Sequence, residues 1–544
     1  MIQLIDTNQL VRSSTRKTPV RLASILIALI LLGLYVQRLL LPAVGLFHDD
    51  GVYLVTAKAL ATGQGYRIIS LPTPVVQTKY PILFPALLAL VWKIFPVFPD
   101  NLVFLKLIPF LAALAWFALA YRYYVEVGLP RRPAVALTIV LALTPWVLYL
   151  SSILLSEMLF FALGMASLMM LRRLESSVTY GPRFALGAGA LAGAALLTRM
   201  AGITLIAAGA LALVRKNRKA AAVFLATSVA VYLPWFVWTS HHATAPGSVG
   251  YYTATSYTGS TILFNFTPQE KLDIVVTNIA AIIGSFGLLF EYHLAVVALL
   301  ITAVLLAGFL LDIRRSGFTV IHMFCLSNLG LITVWTGRPL RFLVMLTPIL
   351  LLFVFRVLMV CAEKTKLRWI PAGALLLVVP MLVQNAQDLV QSQRAGAVLA
   401  PGATNEPPAK WYEQAEIASW LRGNTPPDAV IAARLDPLFY LFTGRASLSG
   451  FSSDWYQLYY SPDRTADALG SVNDFVSELK RQKVTVLVCT SNGGFPERKA
   501  LKKLTTEAVS LYPAAFRLAL QLPDPEYRVY LVDPARLPLI PDLP

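Results

Sequence analysis

Residues 21–53 read RLASILIALILLGLYVQRLLLPAVGLFHDDGVY, and they decide the class of fold to which this chain belongs. Residues 22–42 are long and apolar enough to cross the ~30 Å hydrocarbon core of a membrane. Asp49 and Asp50 follow where this helix must leave the hydrocarbon, and adjacent carboxylates there repel each other and are costly to desolvate. A helix N-cap explains one acid at this place. Because it does not require two, the pair indicates catalysis or ligand binding.

The composition of the chain is that of a polytopic α-helical membrane protein. Of its 544 residues, 57% are hydrophobic and 14% are charged, which is too few charges for the surface of soluble domains. The formal net charge of +17 is attributed to basic inner loops rather than to nucleic-acid binding. Cys325, Cys361 and Cys489 are scattered without metal-ligand spacing, which argues against a zinc site and against disulfides.

Hydropathy and loop charge together predict eleven membrane spans. The run 272–290 is also apolar enough to cross, but it is predicted to lie at the outer interface. Only then do the basic clusters of the predicted loops all fall on the inner side of the membrane. These clusters are 131–132, 172–173, 215–219, 314–315 and 364–368. The predicted spans are 22–42, 102–121, 134–150, 156–171, 184–198, 200–214, 219–239, 293–311, 318–336, 342–360 and 369–385.

The spans divide the chain into domains. Residues 1–21 are predicted to be cytoplasmic, and residues 22–389 to form a membrane domain with outer loops at 43–101 and 240–292. A linker at 390–408 leads to an extracytoplasmic α/β domain at 409–544, with a helix in WYEQAEIASWLRGN and strands at 429–433, 484–490 and 527–533. The absence of a disulfide pair in this outer domain favours a bacterial inner membrane, with the C-terminal domain periplasmic or extracellular.

Five charged residues are predicted on the outer face, away from the inner basic clusters. Glu157 opens the fourth span, Arg199 interrupts two apolar halves, Arg338 and Arg341 bracket a proline, and Lys79 precedes another proline. Positive residues outside run against the orientation bias. Cations that converge below the outer surface would suit a phosphate or pyrophosphate on a membrane lipid.

Each of these residues also has a simpler interpretation. The carboxylate of Glu157 would stabilise the N-terminus of its helix by interacting with the helix dipole. Lys79 would place its ammonium at headgroup level, as Lys93 and Lys106 are expected to do. Tyr53 and Tyr80 are candidates for stacking on a sugar, although tyrosine favours membrane interfaces in any case.

Five short motifs resemble those of a known group of enzymes. In order they are DDGVY (49–53), TKYP (78–81), SEML (156–159), LAGAALLTRMAG (191–202) and RFLVMLTP (341–348). Their order and sidedness resemble the GT-C membrane glycosyltransferases, in the group of protein O-mannosyltransferases (glycosyltransferase family 39) and bacterial aminoarabinose transferases. The resemblance covers residues 22–385 and, more loosely, the C-terminal tail. That group usually has Asp-Glu and Lys-Pro-Pro where this chain has Asp-Asp and Lys-Tyr-Pro, which leaves the subfamily and the substrate open.

The resemblance implies an inverting transferase of the cell envelope, which moves a sugar from a polyprenyl-phosphate donor to a hydroxyl of a protein, lipid or glycan. Asp49 would be the general base, and Asp50 or Glu157 would raise its pKa by like-charge coupling or hold the acceptor. The donor phosphate would be bound by four cations: Lys79, Arg199, Arg338 and Arg341. No cofactor is required, and a divalent metal ion between the three carboxylates is the less favoured alternative.

Two other classes of function stay open at the level of sequence. A transporter or flippase of lipid-linked sugars also needs buried charges, but the chain has no visible pair of broken-helix repeats and has a long first outer loop. A noncatalytic envelope assembly protein would account for the outer domain. It would leave the charges on the outer face unexplained.

Overall fold

A computed structural model describes residues 17–45, 47–176, 181–242, 266–335, 339–367, 378–401, 411–451, 469–490 and 497–538. The N-terminal half contains α1 (Lys17–Leu40), α2 (His48–Ala61), β1 (Arg67–Ile68), β2 (Val75–Val76), α3 (Leu83–Ile94), α4 (Leu102–Glu126), α5 (Arg131–Leu143), α6 (Pro145–Leu150), α7 (Glu157–Ser176), α8 (Pro182–Leu196), α9 (Ile203–Lys216) and α10 (Arg218–His242). The helices that follow are α11 (Pro268–Leu288), α12 (Ala295–Ser316), α13 (Val320–Val334), α14 (Leu340–Leu343), α15 (Thr347–Thr365) and α16 (Val378–Ala395).

Helices occupy every predicted span within the described residues. By length and composition, five stretches of the described chain are suited to cross a membrane: Leu102–Glu126, Arg218–His242, Pro268–Leu288, Ala295–Ser316 and Leu340–Thr365. The predicted span 134–150 is broken between α5 and α6, where Pro145 begins a new helix because it lacks the N–H that would continue the old one. The count of eleven spans stays a prediction.

The last predicted span, 369–385, differs most from the structure. Its first part lies outside the described residues, and helix α16 continues to Ala395, into the predicted linker. Two buried amides near the end of the predicted span are hydrogen-bonded: Asn385 Nδ2 donates to Leu143 O at 2.7 Å, and Gln384 Nε2 donates to Asp388 Oδ1, in the continuation, at 2.6 Å.

Small residues bring the helices of the bundle into close contact. Gly189 and Gly193 of α8 face α10, where a Cβ atom would lie 2.5 Å from Phe224 O and 2.9 Å from Ser228 O respectively. Glycine spaced at four residues is the usual means of packing two membrane helices backbone against backbone. Ser228 Oγ adds a 3.1 Å hydrogen bond to Gly189 O across the same contact.

Lys106 has a different role from the one its sequence predicts. Its side chain is fully buried, and Nζ donates to the carbonyls of Arg38, Leu39 and Leu41 at 2.7, 2.9 and 2.6 Å. The ammonium therefore caps the C-terminal end of α1, whose last carbonyls have no partner within the helix. Lys93, for which headgroup contact is also predicted, is exposed.

Helix α11 packs against the C-terminal end of α13. Asn278 Nδ2 donates to the carbonyls of Ile332 and Trp335, at that end of α13, at 3.2 and 2.6 Å. Beyond the end of α11, burial and the charge of Asp388 raise the pKa of Glu291 to about 8. Asp388 lies beside Arg38 near the C-terminal end of α1. The predicted interfacial location of α11 stays a prediction, since its length and composition would also suit a membrane span.

The C-terminal part is an α/β structure built on one five-stranded sheet. Its elements are α17 (Trp411–Asn424), β3 (Ile431–Ala433), α18 (Asp436–Thr443), β4 (Ser447–Leu448), α19 (Val472–Arg481), β5 (Val486–Cys489), α20 (Glu497–Leu511), β6 (Phe516–Gln521) and β7 (Arg528–Val532). The strand order is β4-β3-β5-β7-β6, with β3 parallel to β4 and β5, and β7 antiparallel to β5 and β6. The predicted helix and the three predicted strands are confirmed; β4 and β6 were not predicted.

Candidate functional site

The two adjacent acids in the first turn of helix α2 point in different directions. The N-cap of α2, Phe47, has no side-chain hydrogen bond to the helix. Both Asp49 and Asp50 lie in the first turn, where the positive end of the helix dipole stabilises a negative charge. Asp50 is buried, and its Oδ1 accepts from the N–H of Gly51 at 2.8 Å. Asp49 points elsewhere: Oδ1 accepts from Tyr80 Oη at 2.5 Å and Oδ2 from Arg341 Nη2 at 3.2 Å.

Arg341 joins two carboxylates that are far apart in the sequence. Its Nη2 bonds Asp49, and its Nε lies 2.7 Å from Glu157 Oε1. Arg199 Nη1 lies 2.9 Å from the same Glu157 oxygen. The result is a continuous row, Asp49–Arg341–Glu157–Arg199, in which two guanidinium groups share one buried carboxylate. Such groups suit phosphate because they present several donors in a fixed plane.

The turn that carries Arg199 is fixed by a close backbone approach. Arg199 lies between α8 and α9, and Gly202 folds back on the end of α8. A Cβ atom at Gly202 would lie 2.6 Å from Leu196 N, so no other residue fits without opening the turn. The side chain is further oriented by Ser156, whose Oγ accepts from Arg199 Nη1 at 3.2 Å. Tyr53 Oη lies 3.2 Å from the same Ser156 oxygen.

The loop that carries Lys79 and Tyr80 is tied down at three points. Gln77 Oε1 accepts from the N–H of Lys79 at 2.8 Å and from that of Tyr80 at 3.3 Å. Tyr66 Oη donates to Tyr80 O at 2.8 Å, and Trp238 Nε1 of α10 donates to Gln77 O at 3.0 Å. The loop therefore holds the Lys79 ammonium over the Tyr80 ring, 4.9 Å from its centroid.

The charges of the site depress the pKa of Asp49, which contradicts the predicted increase. Burial alone raises this pKa, but the positive charges of Arg341 and Lys79 and the Tyr80 hydrogen bond outweigh it, so the pKa lies well below its usual range. Asp50 or Glu157 was expected to raise this pKa by like-charge coupling or to hold the acceptor. Instead the Arg341 guanidinium lies between Asp49 and Glu157 and pairs with both.

Lys79 shifts in the opposite sense. Burial lowers the pKa of its ammonium, the charge of Asp49 raises it, and Arg341 lowers it further, so that the pKa is about 8. This group therefore carries its charge at neutral pH and loses it as the pH rises through about 8.

Accessibility separates the two carboxylates of the row. The Asp49 side chain is 21% exposed, whereas that of Glu157 is 2% exposed. Asp49 can meet an incoming molecule, and Glu157 serves to hold the two arginines. The ring of Phe342 lies beside both arginines, 5.4 Å from the Arg199 guanidinium carbon and 5.6 Å from that of Arg341.

The structure brings most of the predicted site residues together. Asp49, Lys79, Tyr80, Glu157, Arg199 and Arg341 share one network, and Tyr53 joins it through Ser156. Asp50 lies on the side of α2 near Tyr149, and Arg338 lies outside the described residues. Ser156, Phe342, Gln77 and Trp238 were not predicted. The first two adjoin predicted residues in sequence, while nothing in the sequence marks Gln77 or Trp238.

Acidic, histidine and cysteine side chains do not gather in the described part of the chain in groups of three or more that could hold a metal ion. Asp49 and Glu157 each face a guanidinium group.

Comparison with known proteins finds similarity in structure only. No protein-family model matches the sequence, and no curated protein matches it. The crystal structure of ArnT, an aminoarabinose transferase, from Cupriavidus metallidurans bound to undecaprenyl phosphate matches with a TM-score of 0.59 at 12% identity, covering 93% of this chain and 97% of ArnT. The apo form of that protein gives a TM-score of 0.58 at 11% identity, over 96% of this chain and 100% of ArnT.

A second similarity is to an archaeal enzyme. The oligosaccharyltransferase AglB from Archaeoglobus fulgidus, in complex with an inhibitory peptide and a dolichol-phosphate, matches with a TM-score of 0.51 at 12% identity. The match covers 95% of this chain and 75% of AglB. Both neighbours have the GT-C fold, and the resemblance predicted from the sequence is confirmed at the level of the fold. The chain is thus an integral membrane protein of GT-C fold.

Proposed function

We propose that this protein transfers a sugar from a polyprenyl-phosphate donor to an acceptor hydroxyl, with inversion, at the outer face of a bacterial inner membrane. One observation carries the proposal: an accessible carboxylate, Asp49, lies beside Lys79, Arg199 and Arg341 where the outer loops meet the helix ends. The GT-C fold, and the polyprenyl phosphates bound to ArnT and AglB, support the same class of donor.

The chemistry follows from these positions. Asp49 takes the proton of the acceptor hydroxyl as its oxygen attacks the anomeric carbon, on the face opposite the phosphate. The bond from that carbon to the phosphate oxygen breaks, and the polyprenyl phosphate leaves with one more negative charge than it had in the donor. Arg199, Arg341 and Lys79 stabilise that charge, so no acid is needed for the leaving group. The proton on Asp49 then passes to solvent.

Donor binding also prepares the base. Without a donor, Arg341 and Lys79 keep the pKa of Asp49 too low for efficient proton transfer. A bound phosphate would share these cations and add negative charge near Asp49, and both effects would raise the pKa of Asp49. The enzyme would then bind its donor before it activates the acceptor.

The test uses purified protein in nanodiscs with a panel of radiolabelled polyprenyl-phosphate sugars. Asp49→Asn should bind donor but release polyprenyl phosphate at a rate about 10²–10⁴-fold lower, because general-base catalysis contributes that much. Arg341→Gln should weaken donor binding and lower turnover by about 10²–10³-fold, the usual effect of losing one donor to a developing anion. Asp100→Asn and Arg67→Gln are matched controls, since both side chains are exposed on the same outer loop.

The outcomes separate the candidate functions. Wild-type turnover of any donor in the panel that Asp49→Asn abolishes establishes the transferase. Donor binding without turnover by the wild-type protein contradicts it and supports the transport of lipid-linked sugars. If no donor in the panel binds, both the transferase and the transport function are contradicted, and a role in envelope assembly is left.

A further inference from the structure

Helix α18 of the C-terminal α/β structure lies directly against α2, the helix that carries Asp49. Pro437 of α18 packs on Gly51 so closely that a Cβ atom at Gly51 would lie 2.9 Å from the proline Cβ. Farther along, Lys58 Nζ lies 4.7 Å from the centre of the Tyr440 ring. The contacts occur in the same order along both helices, so α18 supports α2 from its first turn to its last.

The first of these contacts is polar and buried. His48 Nε2 lies 2.8 Å from Asp436 Oδ1, and the side chains are 10% and 0% exposed. His48 immediately precedes Asp49 in the first turn of α2, and Asp436 opens α18. A carboxylate without access to water requires polar partners, and the imidazole of His48 is one that comes from the membrane domain.

Asp436 is itself held by the sheet. Ser447 Oγ of β4 donates to Asp436 O, and Ser447 N donates to Ser70 O of the first outer loop at 2.7 Å. The position of Asp436 is thus fixed both by its own sheet and by the loop that leads towards Lys79. The end of α2 that carries Asp49 has no side-chain cap of its own.

We propose that Asp436 and His48 are positioning residues, through which the C-terminal domain holds the first turn of α2 so that the Asp49 carboxylate meets Arg341 and the acceptor. The inference rests on the proposed transferase function for its effect on turnover. It assigns the C-terminal domain a part in the active site even though none of its described residues is in the charged row. The domain acts through geometry and touches no reacting atom.

The experiment compares Asp436→Ala and His48→Ala with the wild type in nanodiscs. Loss of the bond should let the first turn of α2 shift, and a displacement of about 1 Å at a reacting group lowers turnover by roughly 10²-fold. Donor affinity should change less than threefold, because Lys79, Arg199 and Arg341 lie on other elements. The double variant should be no worse than either single one, since both remove the same bond. His48→Gln retains a donor at a similar reach and should recover part of the rate.

Lys58→Met is the matched control, because it alters the same helix interface at the end remote from Asp49 and should leave turnover within threefold. Wild-type turnover in Asp436→Ala, or an equal loss in Lys58→Met, would overturn the proposal. Hydrogen exchange gives a readout that needs no activity: amides of residues 49–53 should exchange faster in both alanine variants and not in Lys58→Met. Unchanged exchange in the alanine variants contradicts the positioning role, whereas faster exchange in a protein that transfers no sugar contradicts only the proposed function.

Discussion

At the scale of single residues, the properties of the site depend on how its charges are paired and on which of them are exposed to solvent. Arg341 neutralises Asp49 from one side, and Glu157, almost fully buried, holds Arg341 and Arg199 in place. Each charge of the row thus has a partner of opposite sign, which offsets part of the cost of burying it. In the proposed reaction the donor phosphate would accept from the same guanidinium groups.

Lys79 makes this balance dependent on pH. Its pKa of about 8 results from burial, so the cation is present below pH 8 and is lost as the pH rises through that value. Donor binding measured from pH 6.5 to 9.5 should weaken several-fold above pH 8 in the wild type. Lys79→Arg, whose charge persists over this range, should bind with little dependence on pH. An equal decline in both proteins would assign the titration to another group.

At the scale of secondary-structure elements, helix ends decide where the site can form. Arg199 lies in a turn held by Gly202, Lys79 in a loop held by Gln77 and Trp238, and α1 ends where Lys106 caps it. Each connection is short and is fixed by hydrogen bonds or close contacts, so the charged side chains start from a rigid backbone. Rigid elements place catalytic groups more accurately than mobile loops do.

Lys106→Met should show how much the cap of α1 contributes. The substitution leaves three carbonyls, two of them in buried hydrogen bonds, without their charged donor. Each hydrogen bond to a charged group contributes about 1.5–3 kcal/mol. We expect a loss of about 3 kcal/mol or more in the free energy of unfolding, measured as a lower thermal midpoint in detergent. Lys93→Met is the control, because Lys93 is exposed and should change the midpoint little. Equal midpoints for the two variants would show that the cap is dispensable.

At the scale of the whole molecule, the membrane bundle and the C-terminal α/β structure pack against each other. Hydrophobic residues of α2, α18 and the sheet belong to the same continuous core as the bundle. The ring of Phe98 in the first outer loop packs on Phe442 of α18 at 4.9 Å. The C-terminal α/β structure therefore packs against the elements that carry the site.

The location of α11 gives a test of the topology. If α11 lies at the outer interface, His293, which lies just beyond it and is 64% exposed, faces outward. If it crosses, His293 faces the cytoplasm. In a variant without native cysteines, a membrane-impermeant maleimide should label His293→Cys and Asp100→Cys in intact spheroplasts, and Arg315→Cys only after permeabilisation. Labelling of His293→Cys only after permeabilisation would add a span and reverse the sidedness of every later helix and loop.

The sequence alone was sufficient for the class of fold, and it singled out most of the charged side chains that meet at the candidate site. Apolar runs that match the thickness of a membrane indicated the bundle. Positive charges that oppose the orientation bias marked Arg199 and Arg341, and an acidic side chain at the start of a span marked Glu157. These features are local, since a charge next to hydrocarbon is costly wherever the chain folds. They can therefore be recognised in the sequence without knowledge of the tertiary contacts.

Only the tertiary structure decided how these charges interact. The resemblance implied that Asp50 or Glu157 would raise the pKa of Asp49 or hold the acceptor, but Arg341, nearly three hundred residues away, lowers that pKa. Lys93 and Lys106 look alike in sequence, yet Lys106 is enclosed by the end of α1. Nothing in the sequence indicated that Asp436 reaches His48. The physical reason is common to all three: the sign and size of an electrostatic effect depend on distance and burial, which only long-range packing sets.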